Sequence, residues 1–229
     1  MALDWSAMSS RDEGEIAYTV RRSTRARNVR VNVHAHDGVE VVLPARAPER
    51  AAAAAVSELR PWIERRMREA RAVREQIDAR GATVPYLDRT LALVPQAGRI
   101  RAHRRGDSLL VPVGDARASI ERLYRRAARV EVAPRLDRAS ALLGRSYSAL
   151  EIRGQRTRWA SCSPEGRMSF NWRLLLAPER VLEYVVWHEV CHLERLDHSP
   201  AFWELLRGRW PGYREDRAWL RRYGATLVL

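Results

Sequence analysis

The chain has 229 residues, 46% hydrophobic and 30% charged, values that fit a soluble globular protein with one substantial core or one domain and a smaller companion. No stretch approaches the roughly 18 uncharged apolar residues of a membrane helix. The start lacks a basic segment leading into an apolar one, and two cysteines make no disulfide framework, so a cytoplasmic protein with no membrane partner is expected. The formal charge is +13, from 41 basic residues, all of them Arg, against 28 acidic ones. Residues 154–229 carry 12 Arg against 9 acids, so the first 153 residues hold +10 of the excess. A field of that sign attracts nucleic acid or acidic surfaces, and either is a candidate partner. The absence of Lys points to a compositional habit, which weakens an argument from Arg abundance alone.

Residues 1–14 are polar and read as a flexible N-terminus. Ile16 to Val20 reads as a strand, and Arg21 to Asn28 as a charged connection. Val29, Val31 and Val33 alternate with Arg30, Asn32 and His34 in a half-buried strand, and Asp37-Gly38 turns the chain into a partner strand over Val39 to Leu43. His34 and His36 read as strand residues on the solvent face. Pro48-Glu49 opens a helix expected to run to about Asp78, with Val56, Leu59, Ile63 and Met67 toward the core and Trp62 beside them. Thr83 to Val94 reads as one or two strands, and Arg99 to Val113 as a hairpin turning at Gly106-Asp107. Its Arg99, Arg101, Arg104 and Arg105 have no aromatics between them, so a solvated edge is the default reading.

Asp115 is placed to cap a long helix from Ala116 to about Leu143, whose core positions are Ile120, Leu123, Tyr124, Val130, Val132, Leu136 and Leu142. Pro134 either kinks that helix or divides it. Three strands follow, over Ala149–Arg153, Arg158–Cys162 and Arg167–Asn171, the last two joined by the Ser163–Gly166 turn. Pro178 and Glu179 begin a helix anchored by Val181, Leu182, Val185 and Val186. Ser199-Pro200 opens a short helix to Arg207, and a last helix spans about Arg214 to Arg222. The pattern is an α+β protein: a β-rich region with one long helix over residues 15–114, then a compact domain over residues 115–229.

The chemistry concentrates in His188-Glu189-Val190-Cys191-His192, with His198 six residues on. On a helix, i and i+4 share a face, so His188 and His192 can meet one ion while Glu189 approaches from the side. Neutral imidazole suits zinc, and three protein ligands leave a fourth position for water. Glu189 is then the general base. Glu204 is an alternative third ligand to His198, and Asp197 is either a partner to a ligand or a turn residue. Cys191 reads as a small buried residue, and Cys162 lacks the spacing of a nucleophile. Arg158, Arg173, Tyr184 and Tyr213 are candidate donors to the oxyanion, unranked by spacing. The 158–171 hairpin either offers an edge strand to an extended peptide or is structural only.

Several stretches carry a resemblance: Arg158-Trp159-Ala160-Ser161-Cys162-Ser163, Phe170-Asn171-Trp172-Arg173-Leu174, Tyr184 through His192, Asp197-His198-Ser199 and Phe202-Trp203. Arg21 to Ala26 and Pro61-Trp62-Ile63 add to it. Together they resemble the YgjP-like (DUF45) family of zinc metallopeptidases, related to the M48 and SprT-like/WLM compact zincins. The resemblance implies a zincin-like catalytic domain with one zinc ion on His188, His192 and His198, Glu189 as base, and a peptide or protein substrate. Ala160 stands where the family usually has Gly, and Cys191 where it usually has a small residue such as Ala. Two other readings keep the metal: a nucleotide or phosphoanhydride hydrolase, and a nucleic-acid-associated SprT-like protease module.

Overall fold

The computed structural model describes residues 16–34, 38–114, 116–155 and 158–229. The expectations for residues 1–14, for Asp37 and His36, and for a cap at Asp115 lie outside these residues. The chain divides into two compact units, Met1–Asp78 and Ala79–Leu229.

In the first unit β1 (Tyr18–Ser23), β2 (Arg30–His34) and β3 (Gly38–Pro44) form a sheet in the order β1-β3-β2. β2 and β3 are the expected antiparallel pair, and β1 lies parallel to β3 with Val20 opposite Val41. The strand therefore runs into the segment expected as a connection, where Arg21 meets Glu40 at 2.8 Å. Alternation along β3 buries Val39, Val41 and Leu43, which join Ile16, Ala52, Val56 and Ile63 in one apolar cluster. The single helix expected to Asp78 is two, α1 (Arg50–Glu58) and α2 (Arg60–Asp78), broken at Leu59. Val56 and Ile63 are buried as expected, whereas Leu59 and Met67 are exposed.

The second unit holds two sheets and four helices around a larger core. Strands β4 (Thr83–Tyr86), β5 (Arg89–Gln96), β6 (His103–Arg105) and β7 (Ser108–Pro112) are ordered β4-β5-β7-β6. The expected divide after residue 114 differs from the observed one for a packing reason. Leu91, Leu109 and Val111 of this sheet are buried in the same cluster as Tyr124 and Leu136 of α3 (Ala116–Leu143). Tyr124 also donates its hydroxyl to the Pro85 carbonyl at 2.6 Å. The turn between β4 and β5 places Leu87 at φ +54, a conformation costly for a branched side chain. Its N–H donates to the Leu175 carbonyl at 2.6 Å, which ties the turn to the 3-10 turn Trp172–Leu176.

The buried stripe of α3 is Ile120, Tyr124, Ala128, Val132, Leu136 and Ala139, spaced as one helical face. Val130 and Leu142, expected in the core, fall off that stripe and are exposed. Pro134 leaves α3 unbroken. It sits on the exposed side, where water can pair the carbonyl freed by its missing N–H. Leu136 is fully buried. Leu136→Ala is expected to lower unfolding free energy by about 2–5 kcal/mol, measured by denaturant titration.

The second sheet is β8 (Ala149–Arg153), β9 (Ala160–Cys162) and β10 (Arg167–Asn171), ordered β8-β10-β9, so β9 is an edge strand. β9 runs antiparallel to β10, with Cys162 opposite Met168. Among the described residues Leu87 is the only non-glycine with positive φ, so Ala160 needs no glycine-only conformation. Helices α4 (Glu179–Cys191), α5 (Pro200–Arg209) and α6 (Tyr213–Tyr223) complete the unit. α4 is apolar nearly all round, burying Val181, Leu182, Val185, Val186, Trp187 and Val190, and is the central helix of the unit. Arg135 of α3 clamps its first turns, paired with Glu179 and, at 3.1 Å, with Glu183.

Candidate metal centre

The last turn of α4 presents His188 and Glu189, and His192 caps its end. Beyond it the chain leaves the helix through tight bonds from Glu194 N–H and Arg195 N–H to the Cys191 carbonyl, at 3.1 and 2.9 Å. Asp197 then accepts the Ser199 N–H at 3.3 Å, as a turn residue would, just before Pro200 starts α5. This short loop returns His198 to the helix it has just left.

One ring nitrogen from each of His188, His192 and His198 lies within 4.8 Å of the others. The Nε2 atoms of His188 and His198 are 3.0 Å apart. Two neutral acceptor nitrogens repel at that distance unless a proton or a cation lies between them. His192 Nδ1 is 2.8 Å from the Arg195 carbonyl. A carbonyl only accepts, so Nδ1 carries the hydrogen and the lone pair is on Nε2, as a ligand requires. Burial, then the neighbouring His192 and His198 and the charge of Arg217, push the His188 pKa down to about 3. Burial also lowers that of His192. Both rings are therefore neutral near pH 7, with lone pairs available. The donor set fits a metal ion of borderline softness.

Fully buried Phe202 makes the floor of the cluster. Its ring lies 4.5 Å from that of His192, stacked, and 5.0 and 4.9 Å from those of His188 and His198. Trp203 stacks on His198 at 5.5 Å. The packed floor restricts imidazole rotation, which a site of fixed geometry needs.

Glu189 is buried beside the cluster, and burial raises its pKa to about 8. Opposing that rise are a hydrogen bond from the backbone of Cys162, on the edge strand β9, and the charge of Arg158. A carboxyl balanced near neutrality can both accept and return a proton.

The other candidates sort by position. Glu204 pairs with Arg207 at 3.0 Å on the exposed side of α5 and is not in the cluster. Cys191 is buried in the core, with burial lifting its thiol to about 12, and Cys162 rises to about 11 for the same reason. Arg173 lies over Trp172 and donates to the Gly154 carbonyl at 3.3 Å. Tyr184 meets His188 edge-on at 5.9 Å, and Tyr213 stacks on Trp203 at 5.5 Å. Sequence reasoning missed Phe202 as the floor, the Cys162 backbone donor, and Arg217. The adjacency of Phe202-Trp203 to the last histidine was the available signal for the floor.

The chain matches the family described as YgjP-like, metallopeptidase domain, over residues 27–223. Among solved structures it is similar to the metallopeptidase zymogen abylysin of Pyrococcus abyssi, at 28% identity, covering 39% of this chain and 93% of that one with a TM-score of 0.35. No curated protein matches the chain. Among the described residues, no helix is long and apolar enough to cross a membrane.

Proposed function

The chain belongs to the YgjP-like metallopeptidase family, and on that premise we propose that it is a zinc-dependent peptidase with one zinc ion on His188, His192 and His198 and Glu189 as general base. The observation that carries this reading is the convergence of three imidazole nitrogens within 4.8 Å, beside a buried carboxyl held from the edge strand. Bound there, zinc supplies Lewis acidity, polarising a peptide carbonyl and making a water easier to deprotonate. Glu189 takes the proton from the attacking water and returns it to the leaving amine. The Cys162 backbone, which offers that carboxyl a hydrogen bond, favours its charged form. Tyr184, whose ring meets that of His188 edge-on at 5.9 Å, is the donor we favour for the developing oxyanion. The position of β9 at the sheet edge supports a role in pairing with an extended peptide.

The all-imidazole donor set favours this reading over nucleotide hydrolysis, whose magnesium chemistry uses oxygen ligands. Association with nucleic acid rests on the Arg excess alone, and a salt-dependent gel shift is its test. The free thiols Cys162 and Cys191 support a cytoplasmic setting. Purified protein is expected to contain one zinc per chain and to cleave peptides but not nucleoside triphosphates in a side-by-side screen. Chelation should abolish cleavage and zinc should restore it. Turnover of triphosphates without peptides would replace this proposal with the nucleotide reading.

A further inference from the structure

Beside His198 lies a cleft of about 570 Å³, lined also by Trp203, Tyr213, Arg214, Arg217 and Arg221. The three arginines are spaced by three and four along α6, so they share one helical face. Several other helical arginines of the second unit have acidic partners: Arg125 with Glu121, Arg135 with Glu131, Arg138 with Glu183 and Arg207 with Glu204. Among the described residues, the ion pairs include none for Arg214, Arg217 or Arg221. Asp216, between them in sequence, is turned into the core. It is 2% exposed, paired with Arg180 and accepting the Trp210 Nε1–H at 2.8 Å. Its charge is thus compensated from the other side.

The geometry also aims this positive charge at the metal centre. The Arg217 guanidinium carbon lies 4.7 Å over the Trp203 ring, and Trp203 itself stacks on His198. Arg214 Nε donates to the Tyr213 hydroxyl at 3.2 Å, while Tyr213 stacks on Trp203. The Arg217 guanidinium is therefore held one ring away from His198, and that of Arg214 two rings away. Their donors are planar forks, the shape that meets a carboxylate with two bonds at once. Like charges converging in a cleft repel, and an anion between them relieves that repulsion.

We propose that this cleft is a substrate subsite that binds a peptide carboxylate, so that the enzyme selects peptides with an anionic group at a fixed distance from the cleaved bond. The carboxylate is either an Asp or Glu side chain or the free C-terminus, and the two share the same recognition chemistry. The proposal rests on the peptidase reading. Arg217 is the central binding residue, and Arg221 shares the charge.

The test uses the full zinc-loaded chain and a proteome-derived peptide library, followed by matched peptides differing only as Glu/Gln or as free/amidated C-terminus. The expected result is enrichment of acidic residues, or of chain ends, at one fixed position. For the matched pair it is a preference of about 10–100-fold in kcat/KM, carried mainly by KM, as for loss of a charged hydrogen bond. Glu/Gln pairs report a side-chain source and free/amidated pairs a terminal one. In an Arg217→Gln/Arg221→Gln variant the preference should collapse toward one, with zinc content and melting temperature unchanged. Arg217→Lys should restore part of it, and the single Arg217→Gln variant serves if the double one does not fold. Cleavage with no acidic preference, or a preference unchanged in the variants, overturns the subsite and leaves the peptidase reading standing. If wild type cleaves no peptide, the peptidase reading falls and the subsite with it.

Discussion

Replacing His188 with Ala is expected to leave a folded protein that no longer retains zinc and no longer cleaves peptide. His188 sits in a tight set, its ring 4.9 Å from that of His192 and 5.0 Å from that of His198, with those two 4.7 Å apart. Its neutral state is enforced by burial and by surrounding positive charge, which is the form a metal needs and a solvated histidine offers less fully. Loss of a residue that merely orients a ligand costs about 10–100-fold in metal affinity, so loss of the ligand itself should exceed about 100-fold. Metal analysis of purified wild type and variant, with a chelator competition, measures the difference. Equal zinc in both would remove His188 from the site. Glu204→Ala is the control for the alternative ligand. Because Glu204 is paired with Arg207 away from the cluster, zinc content should not change.

Glu189→Gln should separate metal binding from chemistry. The amide has the shape of the carboxyl and can still accept the Cys162 N–H through its oxygen. It is neutral, so its burial is no costlier than that of a carboxylate. The fold and the zinc content are expected to survive. What the amide cannot do is take a proton from water, and loss of a general base typically slows turnover by about 10²–10⁴-fold. Single-turnover cleavage of a peptide by equal amounts of zinc-loaded wild type and variant measures the loss. A variant that retains wild-type kcat would show that the base is elsewhere. One that loses zinc as well would mean that Glu189 holds the site together and would leave its chemical role unassigned.

Local chemistry explains what was legible in the chain. The i, i+4 spacing of His188 and His192 is a property of any helix, and the apolar run before it marks that helix as buried. His198 was legible because only a short loop separates it from the helix end. Strand alternation located β2, the Asp37-Gly38 signal its partner β3, and Gly106-Asp107 the β6–β7 turn, since these signals act over a few residues. Helical periodicity says less. It identifies α3 as a helix but not the width of its buried face, so Val130 and Leu142 were expected inside and are exposed. Met67, one turn after the buried Ile63, likewise lies beyond the part of α2 that is buried.

The sequence by itself determined the α+β class, the helix that carries His188 and His192, the third histidine and the acid beside them, because each is written in spacing along one or two elements. Only the tertiary structure decided how that site is supported and what charge faces it. The donor to Glu189 is a backbone N–H of β9, and a backbone group has no side-chain signature to read. Phe202 becomes a floor only when α5 folds back under α4. Arg217, on α6, reaches the centre because Asp216 beside it is drawn into the core by Arg180 and Trp210, leaving the next residue to face outward over Trp203. Such proximities arise from packing between elements distant in the chain, where sequence spacing has no direct bearing on distance.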